Sequence, residues 1–468
     1  MSFKNAVLNT PVEARTWNGM KAYKSTLNSC TDLFFKIGAS RGKDITQLFS
    51  NAYSDNKDYA LRIVQWARDI RHGAGERELF RQVLKWLEAN DPNTLIETKL
   101  LDNVSELGRW DDLLIFKDAR VKGKAYSLIY KALVAGNGLC AKWMPRKGPI
   151  ALDLRLAFNW SPKYWRKRLV ELTNVVESKM CSKDWSEINF SHVPSLAMSR
   201  YSKAFGKNAP EEFTAYKEAL KKGDPKVAKV NAGAVYPYDV VKNVKFGDST
   251  LADEQWKALP NYIGDASILP IVDVSGSMSW TKIPNSNITP MDVAVSLGLY
   301  CAEKNTGPFK DVWLNFSDKA QFVVAKGNTL SQRLKSFDRS DWGGSTNLHA
   351  AFNGILDLAV KNKLPASDMP QILLIMSDMQ FNCCTHYDDS AIEMIRRKYE
   401  SAGYAVPSVV FWNLNAADNV PVKFDERGTA LVSGFSPTIM KAVLSADVSE
   451  MTPEGVMLKT IMNDRYSV

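Results

Sequence analysis

The chain has 468 residues, of which 45% are hydrophobic and 24% are charged. These proportions are ordinary for globular proteins and exclude a largely disordered chain. At roughly 100–200 residues per domain, the length suits two to four domains. No apolar run reaches the length of a membrane-spanning helix, and the polar start is unlike a secretory signal. We therefore expect a cytoplasmic protein with no membrane partner.

Charge is divided unevenly along the chain. Residues 1–260 hold 42 Lys and Arg against 29 Asp and Glu, a net charge of +13. Residues 261–468 hold 18 Lys and Arg against 22 Asp and Glu, a net charge of −4. A basic excess on one part of a protein favours a polyanionic partner, of which nucleic acid is the commonest.

Helical patterns fill the basic first part. Apolar residues recur at helical spacing in 58–70 and 76–90, and the short glycine turn Arg71–Gly75 joins these two segments into a helix pair. Further helices are predicted at 152–158, 161–176 and 211–222. Helix pairs along this length predict HEAT-like helical repeats over residues 1–262. We expect Lys226–Asp248 to be an extended arm or linker.

From about Ala266 the pattern changes to short apolar strands that alternate with helices. The predicted strands are 268–274, 311–316, 321–325, 371–376, 408–412 and 430–433, the second and third forming a hairpin. The predicted helices are 290–303, 348–360, 390–401 and 438–444. This alternation predicts a mainly parallel sheet covered on both faces, with its ligand at the carboxyl ends of the strands. The fold class is therefore α + α/β, with the α/β domain at 263–468.

Hydroxyl and carboxylate side chains gather in three segments of the α/β part. Asp273, Ser275 and Ser277 follow the first strand, Thr346 lies in a glycine-rich loop before a helix, and Asp378 follows another apolar strand. Such oxygen ligands suit a hard divalent cation, Mg²⁺ or Mn²⁺. Few direct carboxylates would leave the ion able to take a carboxylate or phosphate oxygen from outside. The alternative is that the first segment only caps a strand–helix turn.

These three segments resemble the metal-ion-dependent adhesion site of von Willebrand factor A domains. The D-x-S-G-S element, the G-G-S-T-N loop and the strand-terminal S-D occur in family order within residues 263–468. The resemblance implies a doubly wound von Willebrand factor A domain. It also implies three direct hydroxyl ligands and two carboxylates that bind directly or through water, namely Ser275, Ser277 and Thr346, and Asp273 and Asp378. Met379 stands where glycine is common in the family, so a difference in the local turn is expected there.

Basic and aromatic residues are interleaved in the stretch 142–168. The basic candidates for contacts with RNA are Lys142, Arg146, Lys147, Arg155, Lys163, Arg166, Lys167 and Arg168. Lys and Arg neutralise phosphates, and aromatic rings such as those of Trp160 and Tyr164 stack on unpaired bases. The alternative is an ordinary solvated face, with Trp143 and Trp165 in the core.

A second motif lies in the first part, where Arg68–Arg77 reads R-D-I-R-H-G-A-G-E-R. It is similar to an R-D-x-x-x-G-x-G-E-R-like stretch of the Ro ribonucleoprotein (TROVE) family and its uncharacterised relatives. With the domain order and the charge, it implies a closed ring of helical repeats whose ends the metal-site domain joins. Members of that family bind small noncoding RNAs and the ends of defective RNAs. The alternative for the glycines is that they merely form the turn between two helices.

The leading functional hypothesis is a non-enzymatic RNA-binding protein whose α/β domain holds Mg²⁺ (or Mn²⁺) and closes the ring or docks a partner. The alternative is a protein-interaction or assembly component that docks an acidic side chain on the metal, from another protein or an identical copy, without RNA. A hydrolase is disfavoured, because one ion with hydroxyl ligands lacks the paired-metal arrangement of many nucleases. No catalytic residues are assigned.

Overall fold

The computed structural model describes residues 12–223, 226–246, 248–280, 282–284, 286–337, 343–383, 388–445 and 451–468. After a small hairpin the chain is helical as far as Lys257, and strands and helices alternate from Ile268 onward. This α + α/β architecture agrees with the predicted fold class. Over the described ranges, no helix combines the length and the apolar character needed to cross a membrane.

The helices before the sheet begin at residues suited to helix N-termini. Asn56, Asp118 and Ser161 each cap a helix with a side-chain oxygen that accepts a backbone N–H, the last from Tyr164 at 3.1 Å. The helices are α1 (Ser29–Ile37), α2 (Thr46–Asp55), α3 (Lys57–Arg68), α4 (Arg77–Asn90), α5 (Pro92–Glu97), α6 (Val104–Leu107), α7 (Ala119–Val134), α8 (Gly138–Trp143), α9 (Pro149–Ala157), α10 (Pro162–Leu172), α11 (Val176–Ser182), α12 (Ser195–Asn208), α13 (Pro210–Lys222), α14 (Pro237–Phe246) and α15 (Ser249–Lys257).

The predicted helix pair is confirmed as α3 and α4, which pack against each other. The apolar stripe of α4 is fully buried and consists of Leu79, Phe80, Val83, Leu84 and Leu87. The helices predicted near 152–158 and 211–222 correspond to α9 and α13. The helix predicted to continue to Val176 ends at Leu172, and Val176 begins α11 instead.

One local expectation is wrong. The predicted arm Lys226–Asp248 contains α14, because Pro237 suits a first helical turn and Val240 and Val241 bury an apolar face. The N-terminal segment, for which no element was predicted, forms a hairpin of β1 (Glu13–Arg15) and β2 (Lys21–Tyr23). Strands of three residues are too short to show an alternating pattern.

The main sheet has six strands in the order β5-β4-β3-β6-β7-β8. The strands are β3 (Ile268–Asp273), β4 (Val312–Phe316), β5 (Ala320–Val324), β6 (Ile372–Ser377), β7 (Ser408–Asn413) and β8 (Thr429–Ser433). All neighbours are parallel except β4 and β5, which form the predicted antiparallel hairpin. Numbered within the sheet, this is the doubly wound order 3-2-1-4-5-6.

Helices cover both faces of this sheet. They are α16 (Ser277–Trp280), α17 (Pro290–Lys304), α18 (Leu330–Leu334), α19 (Leu348–Lys361), α20 (Ala391–Ser401), α21 (Met440–Ser445) and α22 (Pro453–Ile461). Alternate strand residues face opposite sides. Val272 therefore shares a cluster with Leu297 of α17, whereas Ile271 shares one with Phe352 of α19.

Both ends of the helical part contact the α/β part. At one end, the Ser433 Oγ at the end of β8 donates to Phe34 O of α1 and accepts from Gly38 N, at 2.9 and 3.1 Å. At the other end, Trp256 Nε1 of α15 donates to Glu303 Oε2 of α17 at 2.9 Å. The helices thus leave the α/β part and return to it, and apolar side chains of both parts share one continuous cluster.

Candidate functional site

The three predicted polar segments meet at the carboxyl edge of the sheet. Asp273 ends β3, and Ser377 and Asp378 end and follow the neighbouring strand β6. In this strand order, β3 and β6 flank the point where the connections reverse direction, which is the usual ligand position in open α/β sheets.

Asp273 is fully buried, and both of its carboxylate oxygens accept hydrogen bonds. Ser275 N donates to Oδ1 at 2.9 Å, and Ser377 Oγ donates to Oδ2 at 2.5 Å. The carboxylate therefore ties the first loop to the end of β6. The hydroxyl oxygens of Ser275 and Ser277 lie 3.2 Å apart, so they are able to approach one small ligand together.

Thr346 reaches the same edge from the loop before α19. It is buried, and its backbone pairs with Asn382, with 3.2 Å from Thr346 N to Asn382 Oδ1 and 2.9 Å from Asn382 N to Thr346 O. The loop is also held by Ser317, whose Oγ accepts from Gly343 N at 3.0 Å. Ser317 and Asn382 were not predicted as site residues, although Ser317 directly follows the apolar strand β4.

Met379 adopts the left-handed conformation, with φ +65°. The left-handed conformation costs a residue other than glycine roughly 1–2 kcal/mol, whereas glycine adopts it without a comparable cost. The turn after β6 thus has a backbone conformation that suits glycine, while the Met379 side chain is buried in the apolar cluster of α19 and α20. Met379 N donates to Ser377 Oγ at 3.0 Å, which holds Asp378 at the edge.

The site places two buried carboxylates close together. Burial raises the pKa of Asp273, and the nearby Asp378 raises it further. Burial also raises the pKa of Asp378, while a hydrogen bond from Ser277 and the Lys43 ammonium oppose that rise. Two buried carboxylates with one nearby Lys form a site that a cation would stabilise.

The donor set consists of hard oxygens. In the part of the chain that the structure describes, no group of three or more His, Cys, Asp or Glu is arranged to hold a metal. The candidates are instead the hydroxyls of Ser275, Ser277 and Thr346 with Asp273 and Asp378. Hydroxyl and carboxylate oxygens fit Mg²⁺ and Mn²⁺ and do not fit a soft-metal site.

A groove of about 1050 Å³ opens over this edge. Ser277, Thr346 and Asp378 lie in its floor or walls, so these predicted ligands face a space that a larger molecule can enter. Its other walls come from distant parts of the chain that the motifs did not indicate, namely Arg15, Thr16, Trp17, Asn18, Lys43 and the loop 415–419.

The predicted RNA-binding residues are mostly exposed. Arg146, Lys147, Lys163, Arg166 and Lys167 are exposed, whereas Lys142, Arg155 and Arg168 are half-buried. Among the described residues, Lys147, Arg155, Lys163 and Arg166 have no ion-pair partner. The consecutive helices α9 and α10 thus carry positive charge that the protein does not neutralise.

Four of the basic residues do have partners. Arg168 Nη2 donates to Leu133 O at 2.8 Å at the end of α7, where helix carbonyls lack partners of their own. The remaining contacts are longer or more exposed, and they join Lys142 to Glu177 at 3.9 Å, Lys167 to Glu171 at 3.7 Å and Arg146 to Thr173 at 3.1 Å. Arg168 therefore has a structural contact besides any contact with RNA.

The aromatic residues of this stretch divide between core and surface. Trp165 is buried, as expected from its place on the apolar stripe, and Trp143 is covered by the Arg109 guanidinium 3.7 Å from its ring. Tyr164 is 48% exposed and meets Trp160 edge-to-face, with 4.9 Å between ring centroids. Tyr164 is therefore the ring of this surface best placed to stack on a base.

Residues of the Arg68–Arg77 motif make hydrogen bonds within the protein. Arg68 is buried, and its Nε donates to Asp112 Oδ2 at 2.8 Å. In the glycine turn, Ala74 N donates to Trp66 O at 3.2 Å and Gly75 N donates to Asp69 O at 3.1 Å. These N–H groups already have acceptors, which supports the helix-turn alternative over a phosphate site.

Comparison with known proteins finds families, a curated protein and solved structures that are similar to this chain. Residues 267–465 match the model of a domain of unknown function, DUF7788, and residues 16–121 and 156–269 match that of another, DUF2828. An uncharacterized protein, L728 of Acanthamoeba polyphaga mimivirus, is 29% identical over 508 residues, which cover 95% of this chain and 86% of that protein. The crystal structure of the Deinococcus radiodurans RO (RSR) protein is similar with a TM-score of 0.39 and 13% identity, over 92% of this chain and 93% of that one. The chain is thus similar in sequence to two uncharacterised domain families and to one uncharacterised viral protein.

Proposed function

We propose that this chain is a non-enzymatic RNA-binding protein that holds RNA on the helices α9 and α10. The observation that carries the proposal is the unneutralised charge of Lys147, just before α9, of the half-buried Arg155 on α9, and of the exposed Lys163 and Arg166 on α10, within a part of net charge +13. Charge of this kind binds a phosphate backbone with little dependence on base sequence. The exposed ring of Tyr164 adds a stacking surface for an unpaired base.

We further propose that residues 263–468 are a von Willebrand factor A-like domain with one Mg²⁺ or Mn²⁺. Ser275, Ser277 and Thr346 would bind the ion directly, and Asp273 and Asp378 would bind it directly or through water. The doubly wound strand order and the position of both carboxylates between β3 and β6 support this assignment. The ion would supply a positive charge and open coordination positions facing the groove.

The proposed RNA is a small noncoding or defective RNA, and the proposed arrangement of the helices is a ring closed by the α/β domain. The similarity of Arg68–Arg77 to the Ro family supports the RNA class. The contacts of both α1 and α15 with the α/β part support closure.

Filter binding of single-stranded RNA at several salt concentrations tests the basic surface. We expect the triple variant Lys163→Gln, Arg166→Gln and Lys167→Gln to bind more weakly across unrelated sequences. Each lost phosphate contact on a single strand should reduce the slope of log affinity against log salt by about 0.7, so the slope should fall by about 2. Arg168 is left intact because its guanidinium holds α7.

The matched control removes the same charge from the α/β part, at the exposed Lys326, Lys361 and Lys363. A triple Gln variant at these positions should keep nearly the affinity and slope of the unchanged protein. Equal losses in the two variants would show that net charge alone drives binding. No RNA binding by the unchanged protein, even at low salt, would disprove the function.

The metal proposal is tested by measuring Mn²⁺ binding. Binding is monitored as the loss of the electron paramagnetic resonance signal of free Mn²⁺. The double variant Ser277→Ala and Thr346→Ala should lose at least tenfold in affinity, whereas Ser331→Ala, outside the edge, should lose none. Unchanged affinity in the double variant would refute the ligand assignment.

A metal-dependent assembly component is the second candidate function, and the opening of the groove to solvent favours it. An acidic side chain of another protein, or of a second copy, would then complete the coordination. Association of purified protein that EDTA reverses and RNase leaves unchanged would support this candidate over RNA binding.

A further inference from the structure

The groove over the candidate metal residues is lined by two indole rings that lie almost wholly in solvent. Trp17 is 91% exposed and Trp280 is 81% exposed, the two highest values among the large apolar side chains of the described residues. Both line the groove together with Ser277, Thr346 and Asp378. Single exposed apolar residues are common on protein surfaces, but here both of these indoles line the same polar groove.

The sequence motif itself holds Trp280 in place. This residue lies three positions after Ser277, at the end of the short helix α16. A Cβ atom at Gly276 would lie 2.9 Å from Trp280 Cζ2, so the indole rests directly on the glycine of the D-x-S-G-S element. The ring is thus placed beside the hydroxyl ligands, while most of its surface remains open to solvent.

Trp17 is brought to the groove by the N-terminal hairpin. Three hydrogen bonds fix the hairpin turn to the segment that follows Asp378. Trp17 N donates to Gln380 Oε1 at 2.5 Å, Asn18 Nδ2 donates to Gln380 O at 2.6 Å, and Thr16 Oγ1 donates to Phe381 O at 2.5 Å. The backbone is therefore held firmly, although the indole buries almost nothing against the protein. This arrangement presents the ring to another molecule.

A divalent cation would balance the charges of the groove. Arg15 is paired with Asp388, so Lys43 stands against the carboxylates of Asp273, Asp378 and Asp418, and a divalent ion would offset the excess negative charge. A phosphate would then be held by the ion itself and by Lys43. Arg15 is held by Asp388, with contacts of 2.7 and 2.9 Å, and Lys43 Nζ donates to Ala416 O. Lys43 lines the groove together with Asp378, and its ammonium opposes the rise in the pKa of that carboxyl.

We propose that this groove binds a nucleotide. A phosphate oxygen completes the coordination of the divalent cation near Lys43, and the base stacks on the indole of Trp280 or Trp17. Phosphate oxygens are hard ligands for such an ion, and every base offers a π-face to an indole. A carboxylate side chain would also coordinate the ion, but it would not account for the two exposed indole rings.

The inference rests on the metal part of the proposed function and not on the basic surface of α9 and α10. The same chemistry has two sources, a free mononucleotide and an unpaired nucleotide of an RNA strand. A mononucleotide is too small to need the distant basic surface, so its binding reports on the groove.

The test is calorimetry with the full-length chain and Mg²⁺, using 5′-AMP, adenosine and hexaadenylate as probes. We expect 5′-AMP to bind at least tenfold more tightly than adenosine, and EDTA to abolish its binding. The double variant Trp17→Ala and Trp280→Ala should lose at least tenfold in affinity for 5′-AMP. Leu358→Ala, at an exposed apolar side chain of α19 outside the groove, should leave that affinity unchanged.

Measurement of Mn²⁺ binding to the same variants distinguishes failure of the nucleotide inference from failure of the proposed metal site. If the double Trp variant and the unchanged protein bind Mn²⁺ equally but neither binds a nucleotide probe, the inference is wrong and the metal site stands. If the unchanged protein binds no Mn²⁺, both are wrong.

Binding of hexaadenylate without 5′-AMP, lost in the double Trp variant, supports the inference and identifies an RNA strand as the source. Equal 5′-AMP affinity with and without the two indoles overturns it. The inference is also overturned if hexaglutamate displaces the metal-bound ligand and binds the double Trp variant as tightly as it binds the unchanged protein. A protein carboxylate is then the partner.

Discussion

At the scale of single residues, the buried ion cluster beside the α3–α4 turn makes the helical part sensitive to the loss of any one of its charged partners. The Asp112 carboxylate is fully buried between two guanidinium groups, with 2.8 Å from Arg68 Nε to Oδ2 and 2.7 Å from Arg81 Nε to Oδ1. Burying these charges is costly, and the cost is offset only while each keeps its partner.

We expect Asp112→Asn to reduce the free energy of unfolding by about 3–5 kcal/mol, because it leaves the buried Arg68 charge without a counter-charge. Urea denaturation at neutral pH measures the loss. Glu78→Gln is the control, since it breaks the exposed Arg77–Glu78 pair and should change stability little. A loss for Asp112→Asn no larger than that of the control would mean that the cluster is dispensable.

At the scale of elements, the turn between α3 and α4 sets how closely these helices approach. A Cβ atom at Gly73 would lie 1.8 Å from Trp66 O, a backbone atom that the packed helix holds in place. By contrast, Gly123 lies within the exposed face of α7, where a Cβ would meet nothing within 4 Å. The two glycines therefore have opposite effects on the elements that contain them.

Gly73→Ala should disrupt the helix pair and lower the melting temperature sharply, since the clash is with backbone and cannot relax by a side-chain rotation. Gly123→Ala should raise stability by about 0.5–1 kcal/mol, the usual difference between Gly and Ala inside a helix. Thermal unfolding followed by circular dichroism compares the two variants. Similar changes from both substitutions would contradict this account of the turn.

At the scale of the whole molecule, the C-terminal residues are fastened to the helical part. Asp69 at the end of α3 is fully buried and accepts from Arg465, with 2.5 Å from Nε to Oδ2 and 3.1 Å from Nη2 to Oδ1. Tyr466 OH adds a third bond to Oδ2 at 3.1 Å. Contacts across nearly 400 residues of sequence such as these join the two parts of the chain into one unit.

This fastening should depend on pH. Burial acts to raise the pKa of Asp69, but the hydrogen bonds and charge of Arg465 outweigh burial, so the pKa is lowered. A lowered pKa means stability that is present above the ordinary Asp value, about 3.9, and is lost as pH falls through the folded value. Arg465→Ala should therefore cost about 1.5–3 kcal/mol at pH 7 and progressively less below pH ~4.

Urea denaturation of the unchanged protein and of Arg465→Ala, at pH 7 and at pH 3, measures the difference. Hydrogen exchange of residues 463–468 shows whether the C-terminal segment detaches in the variant. A cost that stays the same at both pH values would show that Asp69 is not the partner that matters.

The sequence alone determined the class of fold and much of the candidate metal edge. Helical periodicity located α3, α4, α9 and α13, and the apolar runs located all six strands of the main sheet, because each pattern is local. The segments around Asp273, Thr346 and Asp378 could be placed at one edge because parallel strands end on the same side. The basic stretch 142–168 was likewise recognisable from its high content of Lys and Arg.

Tertiary structure alone decided which distant residues complete the site and which basic residues are neutralised. Trp17 and Lys43 reach the groove from more than 200 residues away from Asp273. Trp17 lies in a hairpin whose strands are too short to leave a periodic signal, and Lys43 lies in the loop between α1 and α2. Arg68 was indistinguishable by composition from the exposed Arg166, yet burial against Asp112 gives it a structural role. Local patterns record how a segment packs one of its faces, whereas partners remote in sequence are chosen only when the packed elements bring them into contact.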